Sequence, residues 1–253
     1  MNRRLRPVAM TLRRSARRSL RPIRGLVDRL AGSVKGAATD DPVVAFTFDD
    51  GPDAEATPAI AEILEAHGAT ATFFVLADRA ERHPAVLKRL LAEGHEIGLH
   101  GARHTRLTTA SLAETIAVIR GGRHRLEQVT GRAVRWFRPP FGAQSVTSYA
   151  VARLTRLEVV GWSASAADWL DGGGDRVAAA LADLRPGGIV MLHDRYESDP
   201  LDVRDAPEID RVALLGSLLQ GIDGRGWRAM DLSRMLDGRG VRRSAWFKSP
   251  PAR

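Results

Sequence analysis

Between Val43 and Asp237, short apolar runs alternate with longer stretches in which apolar residues recur at helical spacing. The runs 43–48 (VVAFTF), 70–75 (TATFFV), 96–100 (EIGLH), 134–138 (VRWFR), 157–162 (LEVVGW), 188–192 (GIVML) and 227–232 (WRAMDL) predict strands. Helices are predicted near 57–67, 84–93, 111–129, 146–156, 175–184 and 208–221. Thr57-Pro58, His83-Pro84 and Ser111 with Glu114 are start signals, and Gly68, Gly94 and Gly131 supply the left-handed residue that closes a helix. The first run is apolar at nearly every position, the mark of a strand buried on both faces.

Strict alternation of strand and helix implies a parallel sheet with helical cover. Such a sheet closes into a barrel or stays open, and the placement of polar residues favours the barrel. Asp49 and Asp50, His100, Arg138, the Trp162–Asp168 segment and His193 each fall at the C-terminal end of a different predicted strand. A β/α barrel gathers its site there.

Composition narrows the chemistry. The 253 residues contain no cysteine, so disulfides and thiolate metal sites are excluded and any metal must use His, Asp or Glu. The net charge of +8 sits wholly in residues 1–41, with eleven Lys/Arg against three acids; the remainder is neutral. The expected organisation is a basic, flexible leader at 1–41, a catalytic-type domain at 42–237 and a basic, disordered tail at 238–253. Apolar residues at Leu5, Val8, Leu12, Leu20, Ile23, Leu26, Val27 and Leu30 allow the leader an amphipathic helix on anionic lipid, although Pro7 and Pro22 interrupt it. Nucleic acid is a weaker expectation. No apolar run is long enough for a membrane span, and no secretory signal is recognisable. A cytoplasmic location, or a peripheral one at the inner membrane face, is expected.

The first strand stops at Asp49-Asp50-Gly51-Pro52. Asp-Gly and Gly-Pro are common turn dipeptides, but two carboxylates ending a buried strand are costly unless paired, and a cation would compensate them. His100 and His104, four residues apart, can reach one ion and with an acid make a two-histidine, one-carboxylate set. Arg138 precedes two prolines that fix its approach, and can hold a carboxylate ionised. Asp168 and His193 supply a carboxylate–imidazole pair suited to general acid chemistry. His67, His83, His95 and His124 are read as structural or solvent-facing.

TFDDGP, HxxxH, RPPFG, DW and LHD, in this order, resemble the polysaccharide deacetylase family (NodB homology domain, carbohydrate esterase family 4) over Val43–His193. The resemblance implies a distorted (β/α)7 barrel and metal-dependent removal of N-acetyl groups from amino sugars, releasing acetate. It implies Asp49 as catalytic base, Asp50, His100 and His104 as ligands of a divalent ion (most often Zn2+, with Co2+ or Ni2+ as alternatives), Arg138 as partner of the base, and Asp168 as the residue orienting the acid His193. Phe141 N–H is implied in the oxyanion site, and Trp169 and Leu192 in the acetyl pocket. The partner implied is an N-acetylated saccharide. Gly101 replaces a usual Ser or Thr and Leu99 a common Asn, which removes polar support from the histidines; Ser165 replaces a second acid. Other readings are hydrolysis of a different non-peptide C–N bond, such as a cyclic amide or imide, and a non-catalytic glycan- or membrane-binding module.

Overall fold

The computed structural model describes Gly25, Val27, Asp28 and residues 31–170, 175–198 and 206–248. Ten strands are found among them: β1 Ser33–Ala38, β2 Val43–Asp49, β3 Thr72–Val75, β4 Glu96–Leu99, β5 Trp136–Phe137, β6 Glu158–Val159, β7 Ala164–Ser165, β8 Ile189–His193, β9 Arg228–Met230 and β10 Gly240–Ser244. Seven form a curled parallel sheet in the order β6-β5-β4-β3-β2-β8-β7, a half-barrel, and β9 adds to the first half of β2. The fold is thus α/β, a distorted seven-stranded (β/α) barrel open on one flank. The predicted strand 157–162 shortens to β6, Glu158–Val159, and β7 at Ala164–Ser165, beside β8, is not among the predicted strands.

β2 is the central strand and every residue in it is buried. Its phase divides the molecule. Val44, Phe46 and Phe48 pack outward, with Phe73, Val75, Leu99, Phe137, Val190 and Leu192, under the helices Ala56–Ala66, Pro84–Ala92 and Arg211–Asp223. Val43 and Ala45 turn inward, with Phe74, Trp136 and Ile189, onto Leu232, Met235 and Leu236. Alternation carries the inward row on to Thr47 and Asp49 on β2, and to Met191 and His193 on β8. The concave face is therefore apolar at its base and polar at its top.

The expected boundaries of leader and tail are corrected. β1 lies in the stretch read as leader and β10 in the stretch read as tail, and the two pair antiparallel from Ser33–Ser244 to Ala38–Gly240. β1 also bridges Val160, just past β6, and Gly188, just before β8, so it spans the flank where the half-barrel is open. An edge strand left bare exposes unpaired amides and carbonyls, and β1 supplies a partner just past the β6 rim and another at the start of β8. The amphipathic helix considered for the leader falls mostly outside the described residues. No described helix is long and apolar enough to cross a membrane.

The predicted helix 111–129 starts as expected, with Ser111 Oγ accepting from Glu114 N at 3.2 Å. A π turn interrupts it at Ala117–Gly121 before Gly122–Thr130 resumes. Thr57 is not the helix cap. The helix begins at Ala56 with no side-chain cap, and the Thr57 hydroxyl is committed to the site described next.

Candidate active site

Asp49, Asp50, His100, Arg138 and His193 all lie at the top of the inward face, and four different strands deliver them. Asp49 is the last residue of β2 and pairs in register with His193 of β8. Asp50 leaves the strand at φ 79°, in the left-handed region that asparagine and aspartate tolerate best among non-glycine residues. That turn sits one residue before the bend expected at Gly51-Pro52, and it sends the adjacent carboxylates to different partners. Gly51 accommodates a further acid: a Cβ there would lie 2.1 Å from Asp194 Oδ2.

Arg138 is fully buried, and its Nη1 donates to Asp49 Oδ1 at 2.7 Å and to Thr47 Oγ1 at 2.8 Å. Nη2 donates to the carbonyl of Gly161 at 3.1 Å, and the Phe74 ring covers the guanidinium at 4.2 Å. The arrangement engages one oxygen of Asp49 in a charge-assisted bond.

Asp50 Oδ1 lies 3.2 Å from His100 Nε2 and 3.2 Å from His104 Nε2. That oxygen is buried and has no conventional hydrogen-bond partner among the described residues. Two donors on a tetrahedral ion with bonds of about 2.0–2.1 Å sit roughly 3.3 Å apart, so this triangle has the dimensions of a metal's ligand set. Burial pushes the His104 imidazole down to about 4, against the pull of Asp50, which keeps it neutral as a ligand must be. Burial alone would raise the Asp50 carboxyl, but His104 and His100 hold it below the usual carboxylate range. The donor set fits a divalent ion. The outer nitrogens of the two histidines, Nδ1 in each, are buried and without a hydrogen-bond partner among the described residues, as the apolar Leu99 and Gly101 lead one to expect.

The loop that carries both histidines is held by its backbone. Ala77 N and Asp78 N, at the start of the helix Ala77–Arg82, donate to the carbonyls of Gly101 and Ala102 at 3.0 and 2.9 Å. Ala102 N donates to Val118 O at 2.9 Å, a carbonyl inside the π turn. π turns free a main-chain carbonyl from the helix ladder, and here it anchors the ligand loop.

Asp168 grips His193 twice, accepting from its backbone N at 2.8 Å and facing Nδ1 at 2.8 Å. With Nδ1 so engaged, Nε2 is the ring nitrogen available to a ligand. Burial works against a charged His193, yet Asp168, with Asp50 and Asp49 farther off, raises it to about 9.

Asp49, Asp50, His100, His104 and His193 line a cavity of about 290 Å³ with Phe141, Trp169, Leu170 and Met191. Phe141 has φ 56° and its ring lies 4.0 Å from that of His104, tilted by 47°; Trp169 meets His193 edge-on at 5.4 Å. Leu192, expected in the acetyl pocket, is corrected. It belongs to the outward core, and Met191, one residue earlier on β8, faces the cavity because side chains alternate.

Sequence reasoning passed over several groups. Asp194 is buried, accepts from Thr57 Oγ1 at 2.5 Å, and is pushed by burial up to about 7; its place beside a strand-terminal histidine was the available signal. Arg79 pairs with Glu197, and Arg195 with Asp53 at 2.7 Å, fixing the wall that includes Tyr196 and Glu197. Lys248 enters from the tail. His67 and His95 have structural partners, Asp223 and the amide of Ala71.

Known proteins resemble this chain in sequence and fold. The sequence model of the polysaccharide deacetylase family matches residues 36–160. A chitooligosaccharide deacetylase of Sinorhizobium fredii is 33% identical over 77% of this chain and 92% of its own length. A peptidoglycan-N-acetylglucosamine deacetylase of Bacillus cereus is 35% identical over 59% of this chain and 55% of that protein. Among solved structures, the Bc1960 peptidoglycan N-acetylglucosamine deacetylase superposes with a TM-score of 0.72, at 29% identity, over 83% of this chain and 95% of that one. Fold, donor set and sequence agree: the chain belongs to the polysaccharide deacetylase family, the NodB-domain proteins of carbohydrate esterase family 4.

Proposed function

We propose that this enzyme hydrolyses N-acetyl groups of amino-sugar residues in an oligo- or polysaccharide, giving acetate and a free amine. The observation that carries the proposal is the convergence on one cavity of three matched sets: Asp50 with His100 and His104, Asp49 with Arg138, and His193 with Asp168. Acyl-nitrogen hydrolysis needs an activated water, a charge-stabilising site for the carbonyl oxygen, and a proton for the departing nitrogen.

Asp50, His100 and His104 would hold a divalent ion, with zinc the best match to this donor set and cobalt or nickel the alternatives. When bound, that ion supplies Lewis-acid polarisation of the acetamide and lowers the pKa of water. Asp49 takes the proton from the attacking water, held in place for the task by its bond to Arg138. His193, protonated at neutral pH, gives a proton from Nε2 to the nitrogen as the C–N bond breaks. Asp168 holds that ring and supports its charge. The Phe141 N–H donates to the carbonyl oxygen as it gains charge. Trp169, Leu170 and Met191 form an apolar seat for the acetyl methyl, with Leu192 packed behind them in the core.

The arginines of the leader support a peripheral placement against an anionic membrane face, on the cytoplasmic side. Flotation with phosphatidylglycerol vesicles, with and without residues 1–32, would show it; equal flotation of both forms contradicts it.

The catalytic reading is tested by incubating purified, zinc-loaded protein with chito-oligosaccharides and peptidoglycan fragments. Release of acetate matched by new primary amine is expected. Metal-loaded protein that releases acetate from no N-acetylated glycan would overturn the assignment.

A further inference from the structure

The C-terminal segment Ala245–Lys248 converges on the Phe141 turn. Ala245 N donates to Asp28 Oδ1 at 2.6 Å, directly after β10 has paired with β1. Trp246 O accepts from Gln144 Nε2 at 2.8 Å, and Lys248 N donates to Gln144 O at 2.9 Å. The other end of the Gln144 amide, Oε1, accepts from Ser33 Oγ at 2.8 Å, and both of these residues are buried. Gln144 is therefore bonded to β1 and to the tail at once. Lys248 Nζ reaches the carbonyl of Phe141 at 3.3 Å.

The Trp246 ring lies against the same turn. It meets Trp162 edge-on at 4.9 Å, and the Lys35 ammonium stands 3.9 Å over its face. A Cβ added to Gly142 would come within 2.7 Å of Trp246 and 2.8 Å of Trp162, so the two indoles close on the backbone of that glycine. Phe141 and Gly142 both have φ 56°, and for phenylalanine this is an unfavourable conformation that persists only where the surroundings enforce it. Its own backbone hydrogen bonds are Gly142 N to Pro139 O at 3.1 Å, Ala143 N to Pro140 O at 2.9 Å and Gln144 N to Gly142 O at 3.1 Å. Trp162 closes on the turn from the segment after β6, and His104 and Arg106 meet the Phe141 ring; β1 and the tail supply the rest of the contacts described here.

We infer that the β10 tail, through Trp246 and its bonds to Gln144, is a positioning element of the active site that holds the Pro140–Gly142 turn so that Phe141 presents its N–H and its ring to the cavity. The proposal rests on the deacetylase reading, since it assigns Trp246 a part in that reaction without contact with the reacting atoms. A displacement of about 1 Å in a donor can cost roughly 100-fold in rate.

The test compares wild type, Trp246→Ala, Trp246→Phe and Gln144→Ala, all as full-length chains loaded with zinc. The measurements are kcat and KM for chitopentaose, zinc affinity by chelator competition, thermal midpoint, and hydrogen exchange at the amides of Gly142 and Ala143. Trp246→Ala and Gln144→Ala should lower kcat about 10- to 100-fold with KM changed less than about threefold and zinc affinity kept, while exchange at the turn accelerates. Trp246→Phe, which retains an aromatic face against Gly142, should recover most of kcat. Unchanged kcat in Trp246→Ala, or a loss of kcat that follows zinc affinity or the thermal midpoint across the series, would overturn the proposal. Should Trp246→Ala fail to fold, Gln144→Ala and Trp246→Phe decide it by the same criteria. Inactivity of wild type itself would refute the deacetylase reading rather than the role of the tail.

Discussion

Asp49 and Asp50 are neighbours in sequence with opposite electrostatic fates. One is bonded to a fully buried guanidinium at 2.7 Å, and the other sets one oxygen 3.2 Å from each of two imidazoles. Removing one partner of a buried ion pair leaves the other uncompensated, which costs about 3–5 kcal/mol. Arg138→Met should therefore lower stability by that amount, read as a drop in the urea midpoint at unchanged slope, and should abolish activity with it. The His193–Asp168 pair makes a pH prediction. The folded imidazole is raised to about 9 from an ordinary 6.5. Its stabilisation is complete below 6.5 and is lost as pH rises through about 9. An acid that donates from Nε2 is lost over the same range, so kcat should fall above about pH 9. Asp168→Asn removes the main support for the charge and should move that alkaline limb to lower pH; a limb that stays in place would show that His193 does not set it. The residues named so far were legible because ionisable side chains at the ends of buried strands have few structural uses. Leu192 was misassigned through phase. With His193 inward, period-2 alternation already selects Met191 as its cavity-facing neighbour.

At the scale of elements, the features that fix the site are those local pattern conceals. The π turn at Ala117–Gly121 leaves no mark in hydrophobic periodicity, yet its Val118 carbonyl anchors the loop that carries His100 and His104. Gly122 makes that contact possible: a Cβ there would lie 2.7 Å from Ala102 N. In an ordinary helix interior Gly→Ala gains about 1 kcal/mol. Here Gly122→Ala should instead displace the ligand loop and weaken zinc about 10-fold or more, measured against a chromogenic chelator. Affinity equal to wild type would mean that the loop is held some other way. The β1–β10 pair was hidden for a different reason. VKGAA and GVRRS carry no strong alternation, and their partnership joins positions some two hundred residues apart, visible only once the half-barrel presents two open rims. Thr57, read as a helix start, serves Asp194 because the strand end brings that acid within reach of its hydroxyl.

Across the whole molecule, β2 divides an apolar outer core from an inner face that is apolar below and ionisable above. The arrangement couples metal to fold: three donors from the β2 end and the β4 loop must converge, and an ion that binds only the folded state stabilises it by mass action. Zinc at 100 times its dissociation constant should add about 2.7 kcal/mol, and chelation should remove it. Asp50→Ala should show no zinc-dependent shift in the thermal midpoint. The division of labour between the adjacent acids is the centre of this account, and one paired measurement addresses it: acetate release from chitopentaose and bound zinc, determined together for wild type, Asp49→Asn and Asp50→Ala. Asp50→Ala should lose both the metal and the activity, whereas Asp49→Asn should keep stoichiometric zinc and lose nearly all acetate release. Zinc lost from Asp49→Asn, or near-normal acetate release by either variant, would contradict it.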